Sequence, residues 1–179
     1  MLYFLPTSPT SQQMLIQKIL FSTLLAIAVF IFPAVAYGYP QEYDPPPSYS
    51  NAILPGRDFS GQMLQSAEFS NSNLRDVNFS DADLRGAVLS VSIATNANLH
   101  RANLSYGIVD QVDFTGADLT EATFVDAVML GTIFDNTNIT GADFTDAILD
   151  RGQMNQLCQT ASGTNPTTGI ATRESLLCP

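Results

Sequence analysis

The chain has 179 residues, with 17 Asp and Glu against seven Lys and Arg, one His, two Cys and no Trp. A formal charge of −10 argues against an ordinary phosphate-contacting nucleic-acid binder, which needs a basic footprint, and suits a basic partner surface or simply a soluble one. The length fits one domain with appendages.

Residues 1–36 differ in kind from the rest of the chain. "KILFSTLLAIAVFIFPAVA" holds one Lys, an apolar run and then Ala34-Val35-Ala36, a small-x-small cleavage signature. A permanent membrane anchor is the alternative, but the run is short for a span. Residues 1–36 therefore read as a signal peptide cleaved after Ala36. Met14 is a candidate true start, because "MLIQK" makes a more usual charged lead. All 17 acidic residues lie beyond Ala36, so the exported chain is more acidic still. Residues 37–56 are rich in Pro and Tyr, and Pro45-Pro46-Pro47 favours polyproline II and cannot pair in a central strand. They are expected to form an extended segment.

From Phe59 to Met154 every fifth residue is apolar: all 20 positions, with only Ala94 small. In a chain 45% apolar, chance gives this about once in ten million tries. Neither a helix, with apolar residues three or four apart, nor a half-buried strand, with a period of two, explains it. Two places before each central residue, 16 of the 18 positions from Ala67 to Gly152 hold Ala, Ser, Gly or Thr. A small residue beside a bulky one indicates that both point into a narrow interior. The remaining places are mostly Asp, Asn, Ser, Thr, Arg or Gly, which suit turns. Just before the central residue, Asp58, Asn78, Asn98, Asp118 and Asn138 recur at steps of 20, as do Val88, Ile108, Val128 and Ile148. Four five-residue units then complete one turn, and residues 20 apart are stacked neighbours in a four-sided solenoid.

Units such as "ADLRG", "ANLHR", "ANLSY", "ADLTE" and "ADFTD" resemble the A(D/N)LXX repeat of the pentapeptide-repeat family. The resemblance implies an all-β fold: a right-handed quadrilateral β-helix of about five coils over residues 57–155, with the Leu or Phe and the preceding small residue inside. Residues 156–179 are left as a C-terminal cap, for which "TRESLL" offers a helical start with Thr172 as N-cap. Cys158 and Cys178 are 20 apart without zinc-ligand spacing, and in an exported protein a disulfide between them is expected. The tail "ASGTNPTTGIATRESLLC" after the repeats is similar to that of thylakoid-lumen pentapeptide-repeat proteins of cyanobacteria and chloroplasts. That implies a photosynthetic host and a lumenal location, with the periplasm second, and it implies no reaction.

No catalytic set is expected around His100, which follows a core Leu on a side position. No metal or cofactor is expected either: Asp81 with Asp83, and Asp143 with Asp146, fall well short of the six to eight oxygens of a Ca²⁺ site. The fold leaves one feature unexplained. Val88, Ile108, Val128 and Ile148 stand where outward polar residues stand elsewhere, with Val91 and Leu130 on the same side and Ile93 and Ile133 towards the next. Such a stripe marks a contact surface, covered either by the chain's own ends or by a partner. The reading is a non-enzymatic scaffold that presents its faces to an unidentified protein partner, with a homodimer left open and no nucleic acid bound. The alternative is an acidic DNA mimic that inhibits a topoisomerase.

Overall fold

A computed structural model describes residues 45–179. The leader, its cleavage after Ala36, the candidate start at Met14 and residues 37–44 lie outside the described residues.

From Ser48 the chain winds as a four-sided coil. Parallel single-residue bridges join residues 20 apart, from Ser48–Glu68 to Val128–Ile148. They form four columns, one per side. Face 1 holds Ser48, Glu68, Val88, Ile108, Val128 and Ile148, and face 2 holds Ile53, Asn73, Ile93, Asp113 and Ile133. Face 3 holds Asp58, Asn78, Asn98, Asp118 and Asn138, and face 4 holds Met63, Asp83, Asn103, Thr123 and Asp143. Each side is too short to be more than one bridged residue between corners.

The corners follow from backbone geometry. In most, the residue after the turn donates its N–H to the central residue three places back, as Ala67 does to the Leu64 carbonyl at 3.0 Å. Ser72 and Val112 donate instead to the hydroxyls of Ser92 and Thr132 one coil on. The second corner residue is left-handed at every step from Asn51 to Asp146, with φ between 55° and 72°. A turn with φ > 0 at its third place favours Gly and Asn, which is why Asn, Asp and Gly dominate there. The preference for Asn or Asp on the faces has a separate cause. Their side-chain oxygen accepts the N–H of the first corner residue, as Asn98 Oδ1 does from His100 at 3.0 Å and Asp118 Oδ1 from Thr120 at 3.0 Å. Amides also bond along face 3, Asn78 to Asp58 at 3.0 Å and Asn98 to Asn78 at 3.2 Å.

The central residues fill the interior. Phe69, Phe79, Phe114, Phe124 and Phe144 are fully buried, and rings one coil apart stack, with Phe124 and Phe144 5.2 Å between centroids and 6° between planes. Where a hydroxyl takes the small inner place it is partnered: Ser92 Oγ donates to the Phe69 carbonyl at 2.6 Å and Thr137 Oγ1 to that of Phe114 at 2.8 Å.

The coil starts and stops earlier than residues 57 and 155. Tyr49 and Leu54 already take central places, and Tyr49 stacks on Phe69 at 4.8 Å. Proline does not prevent this, because Pro47 contributes only its carbonyl, to Glu68 N–H at 3.0 Å, and Pro55 sits in a corner. At the far end, Gly152 and Met154 keep the five-residue step but lie in helix α1, Arg151–Thr160. Asp150 and Gln153 form a reciprocal capping box that turns the chain into a helix. A second short helix, α2, spans Thr172–Ser175 with Ala171, not Thr172, as N-cap. Thr172 lies one place inside, and its hydroxyl is buried without a partner.

The cap closes the last coil by supplying what a further coil would supply. Ile133 N–H donates to the Val112 carbonyl one coil back at 2.9 Å. The equivalent carbonyl on the last coil, that of Thr132, instead accepts Gln153 Nε2 at 2.8 Å. Gly141 N–H donates to the Ser162 carbonyl at 2.8 Å and Phe144 N–H to Ser175 Oγ at 3.0 Å. Leu157 and Leu176 are buried against the core.

Phe124→Ala is expected to lower unfolding stability by about 3–5 kcal/mol in denaturant melts, because it empties a stacked interior place. Phe124→Leu, which matches Leu104 one coil back and Leu119 one unit back, should cost less than about 1.5 kcal/mol.

Candidate interaction face

Val88, Ile108, Val128 and Ile148 lie in one column, bridged in sequence along face 1. Val91 and Leu130 stand at the corner between faces 1 and 2, and Ile93 and Ile133 lie on face 2. The described residues leave much of the stripe open, with Ile108 43% exposed, Ile148 51% and Val91 52%, while Val88 and Val128 are half-buried. The C-terminal cap, one of the two ends considered as a cover, leaves it open.

These residues are not what the coil itself prefers. An aliphatic side chain on a face offers no oxygen to the following corner N–H, so each rung from Val88 to Ile148 forgoes the bond that Asn or Asp makes on face 3. Val91 is a β-branched residue at φ 62°, where crowding of Cβ against the backbone is costly. Most other left-handed corners are Asn, Asp, Gly or Ser. Strain held at an exposed position points to use rather than to folding.

The structure adds two residues that the sequence reading missed. Tyr106, left-handed at φ 61° and 65% exposed, borders face 1 on its other side, at the corner with face 4. Val125 lies one coil further at the same corner. Both occupy places that read as solvent-facing turn, so the five-residue pattern carried no signal for them. An aromatic at a place that mostly takes Asn, Asp or Gly was the available clue.

Charge around face 1 is mainly acidic, with Arg151 just past the last rung as the exception. Asp110 stands at one flanking corner, Asp126 and Asp146 at the other. The cation nearby, Arg85, is engaged by Asp83 through Nε at 2.8 Å and Nη2 at 2.6 Å. The Arg85 hydrogen bonds hold the Asp83 carboxyl below its ordinary value of 3.8, against a smaller opposing effect of burial.

The other candidates serve the coil. Asp81 pairs with Arg101 at 3.4 Å, and Asp143 is buried, accepting from the Thr145 N–H at 2.9 Å and hydroxyl at 2.6 Å. Among the described residues no three His, Cys, Asp or Glu side chains cluster as metal ligands. His100 Nδ1 bonds Thr120 Oγ1 at 2.7 Å on the corner between faces 3 and 4, away from the stripe. Cys158 and Cys178 are joined, with their Cα atoms 5.6 Å apart, which ties α1 to the chain end. Arg173 reinforces the link by donating to the Cys158 carbonyl at 3.0 Å and to a Pro179 oxygen at 2.7 Å.

A four-sided parallel coil with a filled interior and a stapled cap defines a solenoid repeat protein. Pentapeptide repeats match in eight copies over residues 50–81, 72–106 and 113–151. The chain belongs to the pentapeptide-repeat family. It is 41% identical to a pentapeptide repeat protein from the thylakoid lumen of Arabidopsis thaliana, over 73% of this chain and 90% of that one, with a TM-score of 0.51. It is 20% identical to HetL, a pentapeptide repeat protein involved in heterocyst differentiation regulation from the cyanobacterium Nostoc, over 57% of this chain and 45% of that one, with a TM-score of 0.47. It is 22% identical to QnrB1, a plasmid-mediated fluoroquinolone resistance protein, over 63% of this chain and 82% of that one, with a TM-score of 0.29. Neither of the last two bears on function. No curated protein matches the sequence.

Val91→Asn relieves the β-branched corner and is expected to raise stability by about 1–2 kcal/mol, read as a higher melting point. Ile108→Asn restores the acceptor for the next corner N–H and should melt no lower than the parent. A drop of several degrees in either would show that the stripe serves the fold. For Asp83, a carboxyl lowered in the folded state contributes stability that is whole above 3.8 and lost as the pH falls through the folded value. Asp83→Asn should therefore melt below the parent near neutral pH, with the gap closing once the pH is taken well below 3.8.

Proposed function

We propose that this is a non-enzymatic, exported binding protein of the thylakoid lumen in a photosynthetic host, a rigid right-handed β-helix that offers its faces to a protein partner. The observation that carries this reading is the 41% identity to a lumenal protein, over 90% of that protein's length. The apolar run and Ala-x-Ala of residues 1–36 support export, with the periplasm as the second destination. A binding role without metal or cofactor accords with how the polar groups are used. The interior is packed with apolar side chains, and the face carboxylates hold corner N–H groups or Arg side chains.

The DNA-mimic reading rests on the charge of −10. A mimic of duplex phosphates needs acids in a regular file, since the duplex presents one charge per about 1.7 Å of axis. Here no face column holds more than two acids: Asp58 and Asp118 on face 3, Asp83 and Asp143 on face 4. The charge is scattered, which favours solubility and a basic partner over mimicry.

Fractionation of the native host, with mass spectrometry of the mature N-terminus, is the test. The expected result is a chain beginning at Tyr37 in the lumen. An uncleaved chain in the cytosol would overturn the proposal and make inhibition of gyrase the next assay.

A further inference from the structure

We propose that face 1, continued into the cleft beside the cap, is the docking surface for a basic amphipathic helix of a second protein. The proposal rests on the binding-protein reading above and names the face and the chemistry of its partner.

The first support is that the apolar surface runs on past the last rung. Below Ile148 a cleft of about 390 Å³ opens between the final coil and the cap, lined among others by Ala147, Leu149, Met154, Ile170 and Leu177. Its acidic members are Asp146 and Glu174. The cleft is lined by both sequence neighbours of Ile148, Ala147 and Leu149, so it adjoins the end of the stripe. Carboxylates stand along the edges of this track: Asp110 on one side, Asp126, Asp146 and Glu174 on the other. Of the cations beside the track, Arg85 is held by Asp83, Arg173 is spent on the Cys158 and Pro179 oxygens, and Arg151 stands past the last rung next to Asp150, so carboxylates outnumber the cations left over. Charge complementarity asks for Lys or Arg flanking the partner's apolar residues.

The second support is how face 1 is made. Its backbone is spent between coils: Ile108 N–H donates to the Ala87 carbonyl at 2.9 Å, Leu89 N–H to the Ile108 carbonyl at 2.7 Å, and the same bonds recur at Val128 and Ile148. No edge is left for an added strand, so a partner must read side chains. The rungs repeat at the strand spacing of about 4.8 Å, close to the 5.4 Å pitch of an α-helix. A helix laid along the coil axis therefore meets Val88, Ile108, Val128 and Ile148 with apolar residues at successive turns. Four rungs span about 14 Å, under three helical turns, and the cleft then receives the next side chain.

A second copy of this chain fits less well. Face-to-face packing would set two acidic rims against each other.

The test places a photocrosslinker at the rim, Tyr106→p-benzoylphenylalanine, with Asn138→p-benzoylphenylalanine on face 3 as comparison, each expressed in the native host and irradiated there. The result expected is capture from position 106 of a segment of another protein whose apolar residues stand three and four apart with Lys or Arg beside them. In the Asp126→Asn, Asp146→Asn double variant, which keeps side chains that tolerate the left-handed corner, capture should fall about fivefold. Crosslinks from position 106 to this chain itself, whether to residues 37–44 or to a second copy, would overturn the proposal, as would an acidic segment or no effect of the double variant. Capture only from position 138 removes this face and leaves the binding-protein reading standing. Capture from neither position removes both.

Discussion

Everything in this molecule depends on the hydrogen bonds, spanning 19 or 21 residues, that pair each face residue with the one 20 places on. Leu89 N–H to the Ile108 carbonyl at 2.7 Å, then Val109 N–H to the Val128 carbonyl at 2.7 Å, and so on down the rod, fix each coil on the next. They hold only if every coil has the same length and every corner turns in the same sense. Length and corner are in turn set by the five-residue unit: one large side chain inward, one small one beside it, and one left-handed residue per corner. A single inserted residue would move an apolar side chain out of the interior and break the ladder on all later faces together. The unbroken five-residue register is thus a condition of the fold.

This is why so much of the coil was legible. The inward places must all be apolar, so their period shows through any local variation, and the period of 20 follows from Asn and Asp recurring on face 3. The ends were less legible because other local rules compete there. Met154 satisfies the five-residue step, yet Asp150 and Gln153 cap a helix, and the helix wins because Gln153 also meets the open carbonyls of Met129 and Thr132 at 2.8 Å each. Tyr49 and Leu54 sit among prolines that argued for an extended tail. Pro55 falls at a corner, where a fixed φ does no harm. Of the candidate face, the four rungs and the flanking Val91 and Leu130 were readable as departures from the repeat. Tyr106 and the cleft were not: the first sits in a turn place, and the second exists only once the cap folds back on the last coil.

The same economy separates structure from function on the surface. Faces 3 and 4 are occupied largely by side chains that the coil can use, Asn and Asp holding corner N–H groups and bonding to one another along the rod. Their chemistry is accounted for by the fold, and it supplies no argument for a site. Face 1 is the reverse. Val88, Ile108, Val128 and Ile148 give the coil no acceptor, Val91 strains a corner, and Tyr106 exposes an aromatic ring where Asn or Gly would serve the turn better. A solenoid repeats its solution at every rung, so rungs that depart from it stand out. Ile53, Ile93 and Ile133 on face 2 alternate with Asn73 and Asp113, and Met63 on face 4 precedes Asp83. On face 1 four departures follow one another and call for a common cause. Burial inside the molecule is not that cause among the described residues, because the cap leaves the stripe exposed.

The cap gives the rod a direction, and with it the stripe. An open last coil would present unpaired backbone groups as a template for a further coil or another chain. Gln153, Ser162 and Ser175 meet several of those groups, and Asn165 Nδ2 reaches back to the Glu121 carbonyl at 3.0 Å. The disulfide keeps these short segments in place: closing a loop of this length is worth roughly 3 kcal/mol, enough to hold two helices that have little core of their own. By ending growth of the ladder here, the cap also forms a half-open cleft beside the end of face 1. The cleft between Leu149, Met154 and Leu177 is therefore a by-product of closing the coil, placed where the apolar column ends. A flat ladder alone gives a partner no fixed position along its axis, since every rung resembles the next. A ladder that runs into a cleft at one end does.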